Sequence, residues 1–134
     1  MINKIDHIGI AVQSIEQTMK IYTEKLRLKC VEISEVPEQK VKVASLKIGE
    51  SNIELIEPIT QDSTVAKFLE QKGEGIHHIA FEVTNLETRL NELKNNGTRL
   101  IDEKPSTGTH GTKIAFIHPQ DTKGTLIELV EKNT

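Results

Sequence analysis

Tryptophan is absent and only four residues are aromatic, one tyrosine and three phenylalanines, too few for the stacking platforms that hold single-stranded nucleic acid. An excess of positive charge is missing too. Seventeen Lys and Arg are scattered among twenty Asp and Glu, for a net charge of -3, so there is no electrostatic footprint for a nucleic-acid partner. The chain has a single cysteine, Cys30, which excludes an internal disulfide framework and suits a reducing compartment. Cys30 is read as a small buried apolar residue. No apolar run approaches the ~20 residues needed to cross a bilayer, and residues 1–12 pass straight into a strand pattern without a charged-then-apolar leader. These absences point to a soluble cytoplasmic protein with neither a nucleic-acid nor a membrane partner. A chain of 134 residues can fold as one compact domain or as two half-size units fused into one.

What the sequence does contain is one eight-residue stretch, twice. Ile5-Asp6-His7-Ile8-Gly9-Ile10-Ala11-Val12 returns as Ile76-His77-His78-Ile79-Ala80-Phe81-Glu82-Val83. His7 to His78 and Val12 to Val83 are both 71 positions apart. Each copy alternates as a half-buried strand does. Ile8, Ile10 and Val12, like Ile79, Phe81 and Val83, share one face. The other face carries His7, Gly9 and Ala11 in one copy and His78, Ala80 and Glu82 in the other, a histidine followed by a small side chain each time.

The elements around each copy repeat as well. Ser14 to Gln17 forms a capping-box pattern, and Ile15, Met19, Tyr22 and Leu26 follow at helical spacing, predicting an amphipathic helix of about three turns. Strands are expected over Cys30 to Val36, Val41 to Ile48 and Asn52 to Glu57, the last pair joined by a turn at Gly49. Asp62-Ser63-Thr64 can cap a connector helix that stops at Gly73. After the second histidine strand, Thr84 or Asn85 can cap a helix with Leu86, Leu90 and Leu93 on one side, ended by Asn96-Gly97. Three further strands are expected over Arg99 to Glu103, Lys113 to His118 and Thr125 to Glu131. The fold class is therefore α+β: one domain over residues 1–134, with tandem βαβββ modules at about 1–60 and 75–132 and a connector helix at about 62–73. Two such modules side by side make a curved, half-barrel mixed sheet with helices on the outer face and an open inner wall.

The last strand of each module contains a glutamate between aliphatics, Ile53-Glu54-Leu55 and Ile127-Glu128-Leu129, 74 positions apart. If the aliphatics face the helices, Glu54 and Glu128 face the same side as His7 and His78. Two imidazoles and two carboxylates suit a divalent transition metal with one or two positions left for water or a substrate oxygen. A single histidine on a strand is more often a hydrogen-bonded core or rim residue, and a single glutamate is usually solvated. Four ligand-type residues at matched positions of a duplicated unit favour the metal.

This His/Glu/His/Glu pattern on paired βαβββ modules resembles the vicinal oxygen chelate superfamily, which includes glyoxalase I, ring-cleaving dioxygenases and antibiotic-binding proteins. Within it the chain resembles the methylmalonyl-CoA epimerase family nearly end to end. The segments that carry this are DHIGIAV (Asp6 to Val12), DSTVAKFLEQKGEGIHHIAFEV (Asp62 to Val83), GTHGTKIAFIHP (Gly108 to Pro119) and KGTLIEL (Lys123 to Leu129). The middle two are the specific ones. The resemblance implies an isomerase of propionate metabolism that inverts methylmalonyl-CoA by removing and returning its α-proton, with an acyl-CoA as its partner and a homodimeric assembly. It implies one divalent metal ion per chain, cobalt foremost, with zinc, nickel and manganese compatible. It makes His7, Glu54, His78 and Glu128 the metal set, Glu128 the best-placed acid/base, and His110 a contact to the acyl-CoA.

One position departs from the family. Some members carry a further glutamate as second base on the strand after Pro37-Glu38-Gln39; here that position holds Val43, beside Lys42. Those members have glutamine where this chain has Glu54, so Glu54 is the expected second proton-transfer group. His77 is expected to turn away from His78 toward the helices, and His118 to end a strand. Lys113 and Lys123 are solvated lysines or contacts to CoA phosphates. A glyoxalase-type isomerase would use the same four ligand types. A dioxygenase would need iron and only three of them. A metal-free small-molecule-binding module is the alternative of a different class.

Overall fold

A computed structural model describes residues 2–133. Its strands are β1 (Ile2–Ala11), β2 (Lys29–Val36), β3 (Val41–Ile48), β4 (Ser51–Pro58), β5 (Gly75–Val83), β6 (Ser106–Thr107), β7 (Lys113–Ile117) and β8 (Ile127–Glu131); its helices are α1 (Ile15–Lys20), α2 (Thr64–Lys72) and α3 (Leu86–Asn95). The order is βαβββ, connector helix, βαβββ, with parallel and antiparallel pairing. This is the α+β architecture of two tandem modules expected from the repeat. By packing, His7–His77 forms one compact unit, and the chain from His78 onward forms a second with the start of β1.

In the first unit β4 pairs in parallel with β1 and antiparallel with β3, which pairs in turn with β2. Alternation along these strands sends side chains to two cores. Val12, Ile15, Ala44, Leu46 and Leu55 pack on the α1 side, with Met19 and Tyr22 against them. Ala11, Val36, Val41, Val43 and Ile56 lie on the other side under Val65 and Leu69 of α2. Cys30 is half-buried at the edge of the α1 core.

The predicted three-turn helix is shorter than its periodicity suggested. Ser14 caps it, its hydroxyl accepting from Gln17 N at 3.2 Å. From Ile21 to Lys25, however, the chain widens into a π-helix. The Thr23 hydroxyl donates to Met19 O at 2.9 Å, an alternative to the regular ladder, and the Leu26 amide reaches back to Ile21 O. The wider turn rotates the stripe. Leu26 is left 59% exposed, and Leu28 packs in the core instead.

In the second unit β5 pairs in parallel with β8, and β8 pairs antiparallel with β7, which β6 flanks. Val83, Leu86, Leu90, Ala115 and Leu129 form the core on the α3 side; Ala80, Ile114 and Val130, with Phe116, form the one opposite. The strand expected over Arg99 to Glu103 is reduced to one bridge, Leu100 with Ile117. The Asp102 carboxylate accepts from Phe116 N at 2.8 Å, occupying a ladder position with a side chain. Arg99 is drawn away to Asp121, Nη2 to Oδ1 at 2.9 Å. On its other edge β7 pairs antiparallel with β6, two residues placed after Pro105.

Two helix starts are closed by residues that the sequence did not flag. Asn85 occupies the cap position of α3 in left-handed conformation and makes no side-chain cap bond. Glu131 Oε1 accepts from Leu86 N instead, at 2.8 Å. Glu57 Oε1 does the same for Ile15 N, also at 2.8 Å. Each carboxylate lies at the positive end of a helix, three residues after Glu128 or Glu54 and on the opposite face of the same strand. Glu131→Ala is expected to lower unfolding free energy by about 1–2 kcal/mol, read as a reduced urea midpoint at unchanged slope. Glu57→Ala should cost less, because Ser14 still caps α1.

Asp62, just before α2, accepts from Lys40 Nζ at 2.5 Å and from the Thr60 hydroxyl. These bonds hold its pKa down at about 2, against an ordinary 3.8. A depressed carboxyl contributes stability above its unfolded pKa and loses that contribution as pH falls toward 2. Carboxyl-carbon NMR should place the Asp62 midpoint near that value, and Lys40→Ala should return it toward 3.8.

Candidate metal centre

In the first unit the parallel register sets Gly9 beside Glu54 and His7 beside Asn52. Gly9 presents no side chain at the level of Glu54, so the carboxylate meets the imidazole one pair away, diagonally across the ladder. His7 Nε2 lies 3.3 Å from Glu54 Oε1. Both residues are buried, 5% and 8% exposed. Ile53 and Leu55 pack in the α1 core, which leaves Glu54 on the opposite face, as alternation predicts.

The second unit repeats this geometry. Ala80 stands beside Glu128 in the register, and again a small side chain leaves room for a diagonal contact. His78 Nε2 lies 2.9 Å from Glu128 Oε1, with both residues 5% exposed. The Phe116 ring stands edge-on to His78, centroids 5.5 Å apart at 87°, and Phe116 is the cross-strand partner of Glu128.

A carboxylate taken out of water is costly unless its charge is met. In each pair the imidazole Nε2 is the polar group that faces it. The same nitrogen and the same oxygen are atoms of the kind that ligate metals. His7, Glu54, His78 and Glu128 all belong to buried groups of donors of the kind that hold a metal ion. Each pair offers one imidazole and one carboxylate, donor types that fit a divalent transition-metal ion.

The remaining singled-out residues lie elsewhere. His110 is exposed, in left-handed conformation with φ of 59°, and its carbonyl accepts from Asn133 Nδ2 at 3.3 Å. His77 packs edge-on to Phe68 of α2 at 4.9 Å, the ring that also carries Lys72 Nζ, 5.7 Å from its centroid. Lys113 lines a cavity of about 590 Å³ with Lys94 and Lys104, between α3 and β6. Lys123 is exposed, and His118 caps the turn after β7 by accepting from Gln120 N. Gly108 is required by close packing, because a Cβ there would lie 2.7 Å from Ile114 Cγ2. The sequence reading passed over Asp6, a carboxylate 5% exposed whose Oδ1 lies 2.8 Å from Lys132 Nζ. No local pattern joins residues so far apart in the chain.

Residues 6–116 match the family described as the Glyoxalase/Bleomycin resistance protein/Dioxygenase superfamily. The chain belongs to this superfamily. Within it, the chain is 34% identical to an ethylmalonyl-CoA/methylmalonyl-CoA epimerase of Cereibacter sphaeroides, covering 96% of this chain and 98% of that protein. It superposes on the Streptomyces coelicolor methylmalonyl-CoA epimerase in complex with 2-nitronate-propionyl-CoA with a TM-score of 0.96, at 35% identity over 100% of this chain and 97% of the other. It is also 48% identical to the uncharacterized protein YqjC of Bacillus subtilis, over 96% of this chain and 92% of that one. The methylmalonyl-CoA epimerases are isomerases, and the chain is a member of that enzyme family.

Against this family the environment of Val43 is informative. Val43 is 3% exposed among Ala11, Val41, Ile56, Val65 and Leu69. Its neighbour Lys42 pairs with Glu35 and Glu57 in the ladders and so faces the other way. Neither residue offers an acid or base on the His7 side. Val43→Glu would bury a charge in this apolar cluster and is expected to cost about 2–4 kcal/mol at neutral pH. The loss should ease in acid, where the carboxyl is protonated, and denaturant titrations at pH 7 and pH 4 would measure both.

Proposed function

We propose that this single-domain protein epimerises methylmalonyl-CoA, with one divalent metal ion held by His7, Glu54, His78 and Glu128. The observation that carries this reading is the pair of buried imidazole–carboxylate contacts, at equivalent strand positions of a duplicated unit. The acyl-CoA named for relatives across almost the whole chain supports the substrate. Imidazole and carboxylate donors suit cobalt, zinc, nickel or manganese; cobalt is the ion we assign, in keeping with the family resemblance. That resemblance also underlies our assignment of a cytoplasmic homodimer. When bound, such an ion supplies Lewis-acid stabilisation of the charge that develops on the substrate oxygens.

The chain's own groups do the proton work. A carbon acid beside a thioester is inverted when one group takes the proton from one face and another returns a proton to the opposite face. Glu128 is the acceptor in one direction, its carboxylate held beside the His78 imidazole. Glu54 is the complementary group, because Val43 leaves no carboxylate on β3. The apolar side chains flanking each pair, Ala80 and Ile114 in one unit and Ala11 and Ile56 in the other, keep bulk water away, so that carboxyl groups rather than solvent protonate the carbanion.

Exchange of the α-proton with deuterated solvent tests the assignment. Glu54→Gln and Glu128→Gln should each slow it by about a hundredfold or more while most of the bound metal is kept. Normal exchange in Glu54→Gln would remove that residue from the mechanism. Inversion undiminished after treatment with a chelator would remove the ion.

A further inference from the structure

We propose that Phe116 sets the size of the α-substituent that the enzyme accepts, an inference that rests on the reading of Glu128 as the group that meets the α-proton. Phe116 is the cross-strand partner of Glu128 on β7, which places the two Cβ atoms about 5 Å apart on one face. Its ring stands edge-on to His78 at 5.5 Å, so it touches the surroundings of both members of the pair. The ring is only half-buried and packs against Ala80, Ile114 and Val130, on the strand face that carries Glu128. A substrate carbon presented to that carboxylate brings its apolar substituent against this ring.

The fold does not demand an aromatic here. The equivalent position of the first module, 71 residues earlier, is Ser45, which is the cross-strand partner of Glu54. Ser45 leaves its glutamate with a small polar neighbour, whereas Phe116 fills the corresponding volume next to Glu128. Of the two equivalent positions, only the second puts a bulky apolar wall beside a carboxylate. That difference is what a site needs if it must hold an alkyl group of limited length against one of its two carboxylates. One methylene more or less in such a pocket changes relative kcat/KM by about ten- to two-hundredfold.

The test compares methylmalonyl-CoA with ethylmalonyl-CoA, followed by α-proton exchange in deuterated solvent with the metal-loaded protein. Phe116→Ala should raise the ethyl-to-methyl ratio of kcat/KM by about tenfold, chiefly through the ethyl substrate, at unchanged metal content. Phe116→Leu keeps the packing against Ala80, Ile114 and Val130 while removing the aromatic edge, and should shift the ratio in the same direction. A ratio within about twofold of the parent in Phe116→Leu, beside abolished exchange in Glu128→Gln, overturns this proposal alone. Wild-type exchange in Glu128→Gln overturns the reading of the site and this inference with it. Loss of bound metal in Phe116→Leu overturns the inference too, assigning the ring to holding His78.

Discussion

A carboxylate less than a tenth exposed has to be met by a positive or proton-donating group, because desolvation removes several kcal/mol of hydration that nothing apolar replaces. Glu54 and Glu128 are both in that position, and each is answered by a histidine two residues before the small residue that faces it in the parallel ladder. Gly9 and Ala80 are small because a larger side chain would stand between carboxylate and imidazole. The alternation that hides the aliphatics under α1 and α3 is what brings these polar groups together on the opposite face.

The strands that carry the site glutamates also secure the helices behind them. Glu57 and Glu131 each accept the first amide of a helix on the reverse face of β4 and β8. One short segment thus fixes a buried glutamate on one side and a helix terminus on the other. A site whose groups must hold their geometry benefits from strands so constrained, since a carboxylate misplaced by an ångström loses much of its value in proton transfer.

The two imidazole–carboxylate pairs occupy equivalent strand positions, but their neighbours differ. Serine faces Glu54 where phenylalanine faces Glu128. Val43 lies in an apolar cluster under α2.

Local order was largely legible in the residues themselves. The repeat, the alternation of its strands, the connector helix with Ser63 and Gly73 at its ends, and the facing of His7, Glu54, His78 and Glu128 all follow from periods of two and 3.6, which act between near neighbours. Where a long-range partner competes with local preference, the periodicity misleads. The π-helical widening after Met19 expels Leu26, and Asp102 with Asp121 dissolves an expected strand into a single bridge. Only the tertiary structure decided which histidine meets which glutamate, that Glu57 and Glu131 cap the helices, that Lys132 answers Asp6, and that Phe116 borders the second pair. Those contacts depend on strand register and on side chains dozens of positions apart, and alternation within one strand carries no information about either.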